Sequence, residues 1–236
     1  MLKYQGIADA LRREIECGLY LPGEQIPLEE TLGRQFRVCR GTVKRAMDLL
    51  VAQGLLARRR GAGAFVKALP GADVKELSMA HQLSGFAKTY RKDKVTTRCI
   101  RFSVLHPSEA VAAKLHMSSL EFVYDIVRVR YANAVPSVIE YTKMPVRLIP
   151  GIEQEVLLHS IYDYIEYVLQ LHIQSAHRTV RSRMPTKLEK VYLEIAETLP
   201  VLEVEQVAFL DDGRPFEYSI SHHRADKSVF RAVSVR

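Results

Sequence analysis

The chain has 236 residues and a formal net charge of +7, with 47% hydrophobic and 26% charged residues. This composition excludes a disordered chain, and the length favours two domains over one. No run approaches the roughly 20 apolar residues of a membrane span, and the first residues interleave charge too densely for a signal peptide. We therefore expect a cytoplasmic protein without a membrane partner. The three cysteines are too few and too far apart for a disulfide framework or a zinc site.

The positive charge is concentrated at the N-terminus. Residues 1–69 contain 12 Lys and Arg against 7 Asp and Glu, which leaves 22 against 20 for the remaining residues. A basic segment on a nearly neutral body indicates a polyanionic partner that one end of the molecule meets.

Apolar spacing in this segment predicts three helices. The first helix ends at Gly18, the second is short and acidic at its start, and the third follows the break "RVC" and ends at Gly54. The apolar positions that define them are Ile7, Leu11 and Ile15, then Leu28, Leu32 and Phe36, then Val43, Ala46, Met47 and Leu50. Arg40, Lys44 and Arg45 lie outside the third stripe. Two helices joined by a tight turn, the second with a basic start, indicate a helix-turn-helix whose second helix reaches base edges.

The stretch "LLARRRGAGAFVK" predicts a β-hairpin that closes at Gly61 to Gly63. Beside the third helix, this hairpin would form a wing that sets Arg58, Arg59 and Arg60 against the sugar-phosphate backbone or the minor groove. The glycines could instead suggest a nucleotide cradle, but the lysine and the Ser/Thr of a P-loop are missing and no helix follows.

The string "IPLEETLGRQFRVCRGTVKRAMDLLVAQGLLARRRGAGAFV" resembles the winged helix-turn-helix of the GntR family of bacterial transcription regulators. The resemblance implies that Arg40 and Lys44 face the major groove and that Thr42 binds a phosphate. It also implies that Gly61 and its neighbours form the wing tip in the minor groove.

Three positions depart from the family pattern. Cys39 stands where the family usually has a Ser or Thr helix cap, Glu30 where many members have an arginine, and Lys44 where Arg is usual. A hydroxyl cap contributes about 1 kcal/mol, and a lysine cannot make the two-pronged contact of arginine with guanine. The mode of DNA binding therefore transfers from the family better than the operator sequence does.

The segment "KALPGADVKEL" reads as a linker, which we place at residues 70–76 between a DNA-binding domain (1–69) and a second domain (77–236). The second domain contains β-prone stretches, two of them forming hairpins at "ANAVP" and "DDGR", and three helical stretches. In the second helical stretch, Ile161, Ile165, Val168 and Leu169 share one face. These elements predict an α+β domain around an antiparallel sheet.

The strings "RVRY", "IEYTKMP", "IPGI", "SIYDYIE" and "DDGRPFEYSISHHRAD", in this order, resemble the effector-binding UTRA domain of the HutC subfamily, whose fold is shared with chorismate lyase. In relatives that sense phosphorylated amino sugars, paired arginines and a serine hold the anion and glutamates hold hydroxyls. The matching positions are Arg128, Arg130, Glu140, Ser160 and Glu217, followed by Arg224. Ala87 in "LSGFAK" stands where the family often has a Ser or Thr beside the anion, so the anionic group can differ.

The residue types support this assignment directly. Arg128 and Arg130 are two apart on a predicted strand and therefore point to one face, where two guanidinium groups can grip a phosphate or carboxylate. Ser160 would add a hydroxyl and the N–H groups of a helix start. The alternative is that both arginines form salt bridges with Glu140 and Glu217 across the sheet.

The complete pattern predicts a homodimeric DNA-binding repressor that binds a palindromic operator and is released by a small anionic effector such as a sugar phosphate. No cofactor and no catalytic residues are expected. The alternatives are an activator of the same architecture, a nonspecific nucleic-acid-binding protein, an interaction module, and an enzyme that uses the chorismate-lyase-like domain or a Glu140–Glu217 acid/base pair. A metal site is not expected, because the neighbouring His222 and His223 face opposite ways on a strand.

Overall fold

The structure, a computed structural model, describes residues 2–68, 76–78 and 93–231, with only the backbone described for 76–78 and 231. Contacts within the chain divide it into two compact units, formed mainly by residues 1–73 and by residues 81–230. The predicted linker up to residue 75 lies outside the described residues, as does Ala87. Within the described ranges, no helix has the length and apolar character needed to cross a membrane.

The N-terminal unit is a winged helix-turn-helix. Its elements are α1 (Lys3–Glu16), α2 (Glu29–Phe36), α3 (Arg40–Ala52), β1 (Leu56–Arg59) and β2 (Gly63–Val66). The predicted apolar stripes meet in one core, in which Leu11, Leu32 and Leu50 are fully buried. The short second helix ends because Arg37 adopts a left-handed conformation with φ of 53°. This sharp reversal sets the start of α3 at the surface.

The wing is an antiparallel hairpin in which Arg58 pairs with Ala64 and Arg59 with Gly63. Gly63 has a φ of +108°, and a Cβ atom there would lie 2.7 Å from Nε2 of Gln25. Glycine is favoured at this position, because other residues rarely adopt this backbone conformation and a side chain would also require Gln25 to move. The segment before α2 joins the hairpin, since the Ile26 amide donates to the Ala64 carbonyl at 3.0 Å.

The C-terminal unit is built on a six-stranded antiparallel sheet with the order β4-β5-β6-β9-β8-β7. The strands are β4 (Val95–Leu105), β5 (Val123–Ala132), β6 (Val135–Pro145), β7 (Ile173–Arg183), β8 (Val201–Leu210) and β9 (Pro215–Arg224). The helices are α4 (Glu109–Lys114), α5 (Gln154–Leu158), α6 (Ile161–Asp163), a π-helical turn (Tyr164–Val168) and α7 (Lys187–Leu193). A separate two-stranded ribbon pairs β3 (Glu76–Ser78) with β10 (Val229–Arg231). The α+β expectation is confirmed.

The two faces of the large sheet carry different cores. One face, called here the ligand face, packs Ile126 and Phe216 against Leu157, Ile161 and Ile165 from α5, α6 and the π-helical turn. The opposite face, called here the α7 face, packs a second cluster against α7; its buried members are Val127, Val129, Ile139, Leu193 and Val201. Because side chains alternate along a strand, each strand contributes to both faces.

Two local expectations were wrong. The apolar face predicted through residue 169 fails at Val168, whose side chain is 64% exposed. The chain there forms a π-helical turn, closed by the Leu169 amide donating to the Tyr164 carbonyl at 3.1 Å, and this wider turn rotates Val168 outward. The second miss is β7, a full-length strand in a polar stretch to which the sequence pattern assigned no element.

Candidate functional site

The start of α3 presents a basic surface. Arg40, Lys44 and Arg45 are exposed and Thr42 is half-buried, while Val43 and Met47 face the core. The amphipathic stripe of α3 therefore places the predicted DNA-contacting side chains on the outer side of the helix. This is the arrangement of a helix that enters a major groove.

Cys39 is the N-cap of α3, and its side chain makes no capping hydrogen bond. Its Sγ atom instead lies 3.3 Å from Oγ1 of Thr42. The hydrogen bond with Thr42 lowers the pKa of the Cys39 thiol. The departure from a hydroxyl cap thus leaves the helix start without a side-chain acceptor and engages the hydroxyl of Thr42.

The three arginines of the wing separate into two groups. Arg58 is engaged within the domain: its guanidinium bonds Asp48 at 2.6 Å, Glu29 at 3.2 Å and the Lys44 carbonyl at 3.3 Å. Arg59 and Arg60 are exposed. Arg58 therefore ties the wing to α2 and α3, and the DNA contact expected of all three arginines stays a prediction. Gly61, with φ of +78° and open space around it, forms the tip between the strands.

The second site begins with the paired arginines on β5. Arg128 lies directly opposite Glu140 on β6, and its Nη2 atom donates to Oε2 of Glu140 at 2.8 Å. Its Nη1 atom donates to the carbonyls of Leu157 and His159 at 3.2 and 3.4 Å. Arg130 approaches the same carboxylate at 3.7 Å. Both arginines are buried, so the alternative of a cross-sheet salt bridge is correct for Glu140.

The hydrogen bonds described for Glu217 come from side chains other than these two arginines. Its Oε1 atom accepts from Gln206 at 2.6 Å, from Ser219 at 2.7 Å and from the Tyr162 hydroxyl at 3.3 Å. Burial raises the pKa of Glu217, and the donors Ser219 and Gln206 oppose the shift. Arg178 of β7 continues this network, since its Nε atom donates to Gln206 at 2.8 Å.

Burial and neighbouring charges shift the pKa values of several groups on the ligand face. Although burial alone would raise it, the pKa of Glu140 is lowered by the charges of Arg128 and Arg130. Burial lowers the pKa of Arg130 to about 10 and, against the charge of Glu140, that of His223 to about 4. Two guanidinium groups therefore share one ionised carboxylate beside a neutral imidazole. Nearby opposite charges favour the ionised form of a carboxyl group, so Glu140 stays ionised in spite of its burial.

Ser160 opens a helical segment, as expected. It caps α6 by accepting from the Asp163 amide at 3.2 Å, and α6 continues directly into the π-helical turn. Its role in holding an anion stays a prediction. Ser160 also lines a cavity of about 430 Å³ together with Glu153, His159 and Tyr164.

Arg224 is not brought together with the other predicted effector residues. It lies opposite Val201 on the α7 face, where it bonds Asp226 at 2.8 Å and the Leu193 carbonyl at 3.2 Å. Glu217 and Arg224 are seven positions apart on β9, and an odd separation places two residues on opposite faces. The assignment of Arg224 to the effector site is therefore corrected.

Sequence reasoning missed four residues of the ligand face: Tyr162, Arg178, Gln206 and Ser219. Alternation from Glu217 would have indicated Ser219 and also His223. His222 lies on the α7 face and bonds Glu189 at 2.8 Å. No group of three or more His, Cys, Asp or Glu side chains in the described part of the chain could hold a metal ion.

Comparisons with known proteins agree with this architecture. The model for "Bacterial regulatory proteins, gntR family" matches residues 3–66, and that for the UTRA domain matches residues 91–228. The chain is 41% identical over 236 residues to the HTH-type transcriptional regulator GmuR of Bacillus subtilis, covering 100% of both chains. It is 31% identical to the mannosyl-D-glycerate transport/metabolism system repressor MngR of Escherichia coli, covering 99% of this chain and 96% of that one. The crystal structure of the possible transcriptional regulator YydK from Bacillus subtilis superposes with a TM-score of 0.81 at 28% identity, covering 100% of both chains.

Proposed function

Because the chain belongs to the GntR family of bacterial transcriptional regulators and carries the UTRA domain of its HutC group, we propose that it is a repressor released by an anionic sugar derivative. The members of this family are DNA-binding regulators and not enzymes, so the general activity of the chain is the regulation of transcription. The proposal adds that it binds a palindromic operator as a homodimer. Two-fold symmetry doubles the contacts that one short recognition helix can make.

On the DNA side, Arg40, Lys44 and Arg45 would read or approach the major groove from the outer side of α3. Thr42 would bind a phosphate, although its hydroxyl now contacts Cys39. Arg59, Arg60 and Gly61 would enter the minor groove as the wing tip. Arg58 would support the wing instead of contacting DNA, since its guanidinium is already bonded to Asp48 and Glu29.

On the effector side, the proposal rests on one observation: Arg128 and Arg130 lie buried around a single carboxylate, Glu140. An anionic group bound beside these arginines would form charge-assisted hydrogen bonds with their guanidinium groups. Glu217 and Gln206, which form a polar wall on β8 and β9, would bind hydroxyl groups. A phosphorylated sugar offers both kinds of group, and MngR is named for a system that handles a mannosyl compound.

Release from DNA requires that the effector bind one arrangement of the protein better than another, since a ligand with equal affinity for both shifts nothing. The affinities of this protein for effector and for operator should therefore depend on each other. Effector should weaken operator binding, and operator should weaken effector binding by the same factor.

The first test is a thermal-shift screen of the full chain against sugar phosphates, their unphosphorylated parents and small carboxylates. A ligand at 100 times its dissociation constant adds about 2.7 kcal/mol of stability, which is readily detected. We expect a stabilising phosphorylated or carboxylated sugar, with no stabilisation by the neutral parent. The effector is then added to the protein on DNA selected from a random duplex library.

Arg128→Ala and Arg224→Ala form a matched pair for this test. Both remove an arginine of the same sheet, but Arg224 lies on the α7 face. Ligand stabilisation should disappear in Arg128→Ala and persist in Arg224→Ala. Equal stabilisation of both variants would place the effector elsewhere, and a ligand that binds without changing DNA affinity would refute the switch.

A further inference from the structure

The carboxylate of Glu29, the first residue of α2, connects the two DNA-facing elements of the N-terminal unit. Its Oε2 atom accepts from Nε of Arg40 at 3.1 Å, and its Oε1 atom accepts from Nη2 of Arg58 at 3.2 Å. Arg40 is the first residue of α3, and Arg58 lies in β1 of the wing. One side chain therefore holds both the recognition helix and the hairpin.

Arg58 extends the connection, because it also bonds Asp48 and the Lys44 carbonyl of α3. Glu29 is the partly buried member, with a side chain 24% exposed, whereas the Arg40 side chain is 83% exposed. A carboxylate fixed at the base of an exposed arginine restricts the directions in which that arginine can point. The bond described between Arg40 and Glu29 uses only Nε of the guanidinium group.

We propose that Glu29 is a positioning residue that determines DNA sequence specificity by orienting Arg40 for a base contact. This inference rests on the proposed DNA-binding role of Arg40. A two-pronged contact with guanine depends on the direction of the guanidinium plane. A free side chain would lose rotamer entropy on binding, and the bond to Glu29 removes part of that loss beforehand.

Because Glu29 is charged, its removal should change the affinity for DNA and the specificity for sequence in opposite directions. A carboxylate near DNA repels phosphates, so its removal should strengthen binding to any sequence. If Glu29 orients Arg40, the same removal should weaken discrimination between the operator and other DNA. Glu29→Gln is therefore expected to raise nonspecific affinity and to lower the specificity ratio.

Glu30→Gln is the matched control. Glu30 is the neighbouring residue on α2 and forms an exposed ion pair with Arg34, without a described bond to Arg40 or Arg58. The Glu30→Gln variant therefore loses the same charge as Glu29→Gln at a neighbouring position. Glu30→Gln should raise nonspecific affinity as Glu29→Gln does and should leave the specificity ratio unchanged.

The experiment uses the full chain, a duplex that the wild-type protein enriches from a random library, and a scrambled duplex of the same composition. The ratio of the two affinities should fall about 5- to 100-fold in Glu29→Gln, the range expected for losing one good base contact. In an Arg40→Ala background, Glu29→Gln should lower the ratio no further, because the two residues would act as one unit. A merely structural role would lower both affinities together and would leave their ratio unchanged.

Each outcome separates the two proposals. If the wild-type protein enriches no sequence, the specific DNA-binding role itself fails. If it enriches one and Glu29→Gln retains the wild-type ratio, the positioning role of Glu29 is overturned while the DNA-binding role stands. An equal loss from Glu29→Gln in the presence and absence of Arg40 would also overturn it.

Discussion

Replacing Arg128 by methionine should destabilise the C-terminal domain by about 3–5 kcal/mol in the absence of any ligand. The change leaves Glu140 buried with Arg130 at 3.7 Å as its remaining arginine, and it removes a donor from the carbonyls of Leu157 and His159. Methionine fills a similar volume without charge. The cost therefore measures an uncompensated buried carboxylate instead of a cavity.

The second half of this prediction is a double-mutant cycle. Glu140→Gln alone should also be costly, because it removes the negative charge that Arg128 bonds at 2.8 Å and Arg130 approaches at 3.7 Å. Arg128→Met combined with Glu140→Gln removes the partners together and should cost less than the sum of the single changes, with a coupling of about 1–3 kcal/mol. The free-energy changes of substitutions at two residues in direct contact are not additive, and Arg128 and Glu140 are 2.8 Å apart.

Chemical denaturation of the full chain, followed by circular dichroism, gives the four free energies of unfolding, of the wild-type protein, the two single variants and the double variant. Arg224→Met is the control, because Arg224 lies on the α7 face and pairs with Asp226, which is more accessible to water. It should cost about 1 kcal/mol or less. Additive costs for Arg128 and Glu140 would refute the description of their ion pair as a single buried unit.

Three further predictions concern stability, salt and pH. Arg58→Ala should lower the unfolding free energy by about 1 kcal/mol through its lost bonds to Glu29 and Asp48, whereas Arg59→Ala should leave it unchanged and reduce the salt slope of DNA binding by about one. The reverse assignment of effects would contradict the division of the wing. Cys39→Ser should supply the missing cap and stabilise the protein by about 0.5–1 kcal/mol, with Cys17→Ser as the control; no gain would mean that the α3 start needs no side-chain acceptor. Because the pKa of His223 falls from 6.5 to about 4 on folding, the unfolded chain binds the extra proton, and stability should decline by about 3 kcal/mol as pH falls across that interval. His223→Gln should flatten this part of the pH profile, measured by denaturation, and an unaltered slope would show that His223 is protonated in the folded protein.

The N-terminal unit could be predicted almost completely from the sequence because its signals are local. Apolar residues three and four apart define each helix, and Gly18 and Gly54 mark two of the helix ends. The division among Arg58, Arg59 and Arg60 was not accessible. It depends on Glu29 and Asp48, which lie 29 and 10 residues away in the chain and approach only when the wing folds back.

Predicting the sheet was harder because its signals are nonlocal. β7 is an edge strand, in which many side chains face solvent and few apolar residues mark the period. A register shift between Ile173 and Ser175 also interrupts the alternation. Because β7 was not predicted, Arg178 was not predicted either. On β9, by contrast, simple alternation from Glu217 would have identified the other residues of the ligand face.

The alternation of side chains along β9 could have shown that Arg224 lies on the opposite face from Glu217. Its closeness to Glu217 in the sequence was given more weight in the prediction. The residues lie on one strand, but seven positions separate them, so no pairing register could bring them to one face without a bulge between them. β9 has none in that interval, since its pairing with β8 runs unshifted from Glu217 to Arg224. Family resemblance indicated the strand correctly, whereas the geometry of the strand decides which of its residues can meet a ligand.

The two interpretations of Arg128 and Arg130, as ion-pair partners and as ligand groups, do not compete. Glu140 accepts a hydrogen bond from Arg128 and lies 3.7 Å from Arg130, too far for a second one. Burial lowers the pKa of Arg130 from 12.5 to about 10, which corresponds to about 3 kcal/mol by which its charged form is destabilised in the fold. An anion bound beside Arg130 would recover part of that free energy, whereas a neutral sugar would not. The ion pair with Glu140 therefore holds the Arg128 guanidinium group in a fixed position, where the proposed anionic effector would meet it.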